Sequence, residues 1–102
     1  MDLAEVTADD FSGAVGDTFM LRAADLSLPL ELKAASTYPQ GSPARDEQGR
    51  RNPFELIFRG PPDPIVTQRI YHLEHDTIGA LEVFMVPIGV DGDGASYHVV
   101  FA

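Results

Sequence analysis

The stretch from Gln68 to Ala102, QRIYHLEHDTIGALEVFMVPIGVDGDGASYHVVFA, decides the fold, because it reads as three consecutive β-strands. Tyr71, Leu73, Leu81, Val83, Phe84, Met85, Val86, Ile88, Tyr97, Val99, Val100 and Phe101 are β-formers or large apolar groups. The polar breaks fall at Asp76-Thr77 and between Asp91 and Ser96, where turn-forming residues replace strand-forming ones. The first strand runs from about Thr67 to His75 and the second from Ala80 to Val90. The linker Asp91-Gly92-Asp93-Gly94 suits a hairpin that returns Tyr97 to Phe101 antiparallel. The second strand is apolar on both faces, which predicts a central strand, a sandwiched one, or one partly buried in a subunit contact.

Working outward, Phe54, Leu56 and Phe58 alternate with Glu55 and Arg59, and Gly60-Pro61-Pro62-Asp63-Pro64 stops that strand with residues that do not extend a ladder. Tyr38 to Asn52, YPQGSPARDEQGRRN, has the composition of a solvated loop. Before it the apolar period is two. Phe19, Leu21 and Ala23 share one face, and Leu28, Leu30, Leu32 and Ala34 share another, with a joint near Ala24-Asp25. Thr7 precedes Ala8-Asp9-Asp10-Phe11, which predicts a short capped helix ended by Gly13 and Gly16. Its apolar positions, Leu3, Val6, Phe11 and Val15, are expected to cover one open end of the β-structure. The chain therefore predicts a mainly β single domain over residues 1–102: a small six-stranded antiparallel barrel or sandwich with a short N-terminal helix.

Composition narrows the function. The 102 residues carry 16 acidic and 7 basic side chains, a formal charge of −9. Nucleic-acid binding needs clustered Lys and Arg to displace counterions, and this surface repels polyanions and anionic membranes instead. The absence of cysteine excludes a disulfide framework, thiolate metal sites and a cysteine nucleophile. The opening MDLAEVTADDF lacks a basic region followed by an apolar run, so a cytoplasmic protein is expected.

Candidate chemistry is sparse. His72 and His75 in HLEH suggest a metal, but residues three apart on a strand point to opposite faces. His72 and Glu74 do share a face, and pairing of His98 opposite their strand would give a two-histidine, one-carboxylate patch. Asp91 and Asp93 fall short of the ligand set of a calcium loop and fit a glycine hairpin. Ser42 and Ser96 lack the elbow setting of a nucleophile, and no phosphate-binding or dinucleotide glycine pattern occurs. These patterns assign no catalytic residue, metal ligand or cofactor. The aromatics Phe54, Phe58, Tyr71, Phe84, Tyr97 and Phe101 are expected in the core, and Arg50-Arg51 is a candidate partner contact against plain solvation of a loop tip.

The positions Phe54, Leu56, Phe58, Gly60 and Pro61, then Gln68, Tyr71, Leu73 and His75, then Val86-Pro87, then Tyr97, Val100 and Phe101, form a pattern covering most of the chain. On this pattern the chain resembles a family of short, uncharacterised bacterial proteins, a domain of unknown function. The resemblance implies no catalytic residues. It implies an accessory role in a phage-tail-like or secreted assembly, and hence a protein partner or a homo-oligomer. The function expected is a noncatalytic interaction or assembly module. The alternatives are a small-molecule-binding barrel with its ligand among Tyr71, Met85 and Tyr97, and a metal-dependent enzyme using His72, Glu74 and His98.

Overall fold

The computed structural model describes Leu3 and residues 5–102. Two three-stranded meanders close on each other: β1 (Thr18–Ala23), β2 (Leu26–Thr37) and β3 (Phe54–Gly60), then β4 (Arg69–His75), β5 (Gly79–Asp91) and β6 (Gly94–Phe101). The order around the wall is β1-β2-β3-β6-β5-β4, a closed barrel with every ladder antiparallel. Closure rests on β1 against β4, with Leu21 opposite Leu73, and on β3 against β6, with Phe58 opposite Tyr97. A barrel has an inside and an outside, so the period-two pattern of each strand becomes a core and a surface.

The inside is filled by Phe19, Leu21, Leu30, Leu32, Leu56, Phe58, Leu73, Met85 and Tyr97, all at most 1% exposed. Phe19 meets Phe58 edge to face at 5.2 Å between centroids. Glycine lets two walls approach at Gly60, where an added Cβ would lie 2.6 Å from the Leu30 side chain. Pro29 sits in β2 without breaking a ladder, because β3 begins to pair only at Glu31.

Two departures from strict alternation follow from bulges. The β2–β3 register shifts between Leu32 and Ala34, so beyond Lys33 the inward positions become Ala35 and Thr37, opposite Leu56 and Phe54. Ala34, expected on the Leu28–Leu30–Leu32 face, instead pairs with Ile57 on the outer face. A second shift lies between Pro87 and Gly89 in β5, at the one place in that strand where proline removes a donor.

Helix α1 (Ala8–Ser12) closes the end of the barrel at which β3 starts and β6 stops. Thr7 is its N-cap, and the Asp10 carboxylate accepts the Thr7 N–H at 2.8 Å. Phe11 lies 5.8 Å from Phe54 and 5.9 Å from Phe101, and those two rings stack at 4.5 Å. Val6 is buried as expected, but Val15 is 46% exposed, and Ala14 takes the buried position instead. The opposite end is crossed by the segment between β3 and β4, where the Val66 N–H donates to the Tyr97 hydroxyl at 3.1 Å.

The loop between β2 and β3 is built around Asp46, whose Oδ1 accepts the N–H groups of Gln48 and Arg50, each at 2.9 Å. Arg45 and Arg51 bridge across this turn. Of the Arg50-Arg51 pair, read as a candidate partner contact or a solvated loop tip, Arg51 turns back onto the barrel. Its Nη1 donates to Leu3 O at 2.7 Å and Val6 O at 2.9 Å, and its Nη2 donates to Ala102 O at 2.7 Å. The guanidinium also faces the Phe54 and Phe101 rings at 5.8 and 5.9 Å. A fork of fixed geometry is required for three carbonyls, so Arg51→Lys is expected to cost about 1–3 kcal/mol. Urea unfolding checks this, and a midpoint equal to wild type would show that the clamp contributes nothing.

Candidate interaction surface

The outer face of β4, β5 and β6 carries large apolar side chains that no other described element covers. Inward Leu81, Val83 and Met85 leave Glu82, Phe84 and Val86 pointing outward by alternation. Phe84 stands opposite Ile70 of β4, and on the other side it borders Val100, because Met85 pairs with Val99. Ile70 is 62% exposed, Phe84 51% and Val100 54%. Ile88 and Val90 extend the apolar surface along β5 past its bulge and are also more than half exposed. The expectation that Phe84 belongs to the core is therefore corrected: the other five aromatics of that set are buried, and Phe84 is not. A contiguous exposed apolar patch of this kind marks an interaction site more often than scattered surface residues do.

Beside Phe84 the surface becomes a groove. The β5–β6 ladder ends at Met85–Val99, and the strand ends beyond it border a groove of ≈ 380 Å³ lined by Glu82, Phe84, Val100, Phe101 and Ala102, with Leu3 and Arg51 at its end. Sequence reasoning did not anticipate this groove. Its signal is the mismatch along β5, which pairs with β4 from Gly79 onward but with β6 only from Met85 onward.

A polar cluster flanks the patch on the β3 side. Val100 pairs with Glu55 and His98 pairs with Ile57, so Glu55 and His98 share the outer face. The Tyr38 hydroxyl and the His98 Nε2–H both donate to Glu55 Oε2, since an ionised carboxylate only accepts. The Tyr38 bond, with the smaller contribution of His98, holds the Glu55 carboxyl below the usual carboxylate range against the opposing effect of burial. The same Glu55 bond raises the Tyr38 phenol.

The histidines do not converge. His72 Nε2 lies 3.2 Å from Glu74 Oε2, and Glu74 also pairs with Arg22 at 2.9 Å. His98 is not opposite that strand, because β5 lies between β4 and β6; its carboxylate is Glu55. His75 packs against Phe19 at 4.5 Å, and its Nδ1 accepts the N–H groups of Thr77 and Ile78 at 3.1 and 3.0 Å. That places its ring proton on Nε2, 2.8 Å from Asp17 Oδ2. Among the described residues no three His, Asp or Glu side chains are gathered so as to hold a metal ion. Asp91 Oδ1 accepts the Asp93 and Gly94 N–H groups at 2.9 and 3.1 Å and an Arg59 N–H at 2.6 Å. Those bonds, the Asp93 amide foremost, lower its carboxyl. Tyr71, Met85 and Tyr97 are buried side chains of the packed interior, with the Tyr71 hydroxyl donating to Thr67 O at 2.8 Å.

The fold is thus a closed six-stranded β-barrel with a helix over one end and an exposed apolar patch on the outer face of β4, β5 and β6. The chain belongs to the family described as Domain of unknown function (DUF6916), whose model matches residues 6–101. Comparison with curated proteins and with solved structures gave no match. No helix among the described residues is long and apolar enough to cross a membrane.

Because Tyr38 is the largest cause of the lowered Glu55 pKa, Tyr38→Phe is expected to move the Glu55 titration back toward the ordinary carboxylate range. Side-chain carboxyl NMR during an acid titration reads this directly. A lowered pKa means that the cluster's contribution to stability is complete above the ordinary glutamate pKa, about 4.3, and is lost as pH falls through the lowered value. A Glu55 midpoint that does not move in the variant would remove the phenol as the cause.

Proposed function

We propose that this protein is a noncatalytic interaction module that docks a protein partner through the outer face of β4, β5 and β6. The observation that carries the reading is the row Ile70–Phe84–Val100, three large apolar residues side by side on three strands, each more than half exposed. Placing them in solvent forgoes burial worth roughly 1.5–3 kcal/mol for each side chain, a cost that covering the face would offset. The surrounding chemistry supports a scaffold role. The ionisable clusters are pairs and two triads whose members bind one another, and the interior is occupied by side chains. The resemblance to short proteins associated with phage-tail-like assemblies suggests an accessory part of such a particle as the setting.

The test compares affinity capture from the native cells by the wild-type protein and by an Ile70→Ser, Phe84→Ser, Val100→Ser variant. The variant changes no buried residue and is expected to keep its thermal midpoint while losing at least about tenfold of the captured partner, the scale of interface hot spots. Components of a tail-like or secretion assembly among the lost proteins would support the setting. An identical captured set from both proteins would exclude this face as the docking surface.

A further inference from the structure

The docked partner can be described chemically from the charges around the groove, an inference that rests on the interaction reading above. All seven Lys and Arg side chains are engaged within the chain. Arg22, Lys33, Arg50 and Arg59 are in ion pairs, Arg45 and Arg51 bond backbone carbonyls, and Arg69 lies 5.3 Å from the Tyr71 ring. The acids outnumber them by 16 to 7, so many carboxylates are left without a cation. One of these is Glu82. It borders the groove, it is two residues from Phe84 on the same outer face, and it makes no ion pair or side-chain hydrogen bond among the described residues. Its cross-strand neighbour His72 is turned to Glu74. Arg51, at the far end of the groove, already donates to three carbonyls.

We infer that the groove between the diverging ends of β5 and β6 receives an apolar side chain of a basic partner segment, whose adjacent lysine or arginine pairs with Glu82. The apolar lining, Phe84, Val100 and Phe101, supplies the anchor site, and its volume of ≈ 380 Å³ lies at the small end of the range for binding pockets, about 300–1,000 Å³. Charge selects among occupants. A second copy of this chain brings another −9 to the contact, and six of its seven cations already hold carboxylates or backbone carbonyls, whereas a basic segment is attracted at long range and paired at short range.

The test uses synthetic peptides alternating phenylalanine and valine with lysine, with serine or with glutamate, titrated calorimetrically against wild type, Glu82→Gln and Phe84→Ser. The lysine peptide is expected to bind wild type best. Affinity should fall about tenfold for Phe84→Ser and several-fold for Glu82→Gln, with weakening as salt rises. Equal binding of the lysine peptide to wild type and Phe84→Ser would overturn the proposal, because attraction to net charge alone then accounts for it. Equal binding of lysine and serine peptides, with Phe84→Ser still defective, would overturn the basic partner while leaving apolar docking standing. A dimer in sedimentation that Phe84→Ser dissociates would assign the face to a second copy, and no binding by any peptide would equally overturn the inference.

Discussion

Closure of the barrel is the constraint on which the rest depends. Once β1 pairs with β4 and β3 with β6, each strand has two neighbours over most of its length and the sheet has no second layer behind it. Every inward residue is packed, and every outward residue faces solvent unless a loop or helix lies over it. The coverings in this molecule are at the ends: α1 over one and the segment before β4, with Val66 inserted, over the other. Among the described residues nothing lies over the outer wall at β4, β5 and β6, so Ile70, Phe84 and Val100 stay exposed there.

This explains why the two faces of β5 have different meanings even though both are apolar. Leu81, Val83 and Met85 enter the core, and their burial fixes the register of the strand, since a slip of one residue would exchange them for Glu82, Phe84 and Val86. Phe84 therefore has no conformational route inward that keeps the ladder. Its exposure follows from the topology and is not a defect of packing. The polar neighbours are arranged differently. Glu55 is satisfied by Tyr38 and His98, while Glu82, on the other flank of the same patch, has no such partners among the described residues.

Much of the fold was legible because period-two alternation is a local property. Phe54, Leu56 and Phe58 enter the core as their spacing indicates, and the glycine-rich turn at Gly92 joins β5 to β6. What depended on strand order was not legible. The proposed meeting of His98 with His72 and Glu74 assumed adjacent strands, and β5 separates them. The Glu55–His98 pair joins residues 43 apart in sequence and follows only from β3 lying beside β6. Ala34 was misplaced because a bulge at Lys33 reverses the alternation, and no residue type near it signals the extra position. Arg51 gave the most misleading signal. A charge in a polar loop suggests solvent, but here the guanidinium reaches back over two aromatic rings to carbonyls that are distant in sequence.

That clamp has a geometrical consequence. The carbonyl oxygens of Leu3 and Ala102 both accept from the same guanidinium, so two positions far apart in the sequence are held within one side-chain span. A short engineered linker between those two positions would span the same gap. The same β-barrel could then be opened elsewhere, for example in the hairpin at Gly92 on the opposite pole, with every ladder retained and the order of strands along the chain permuted.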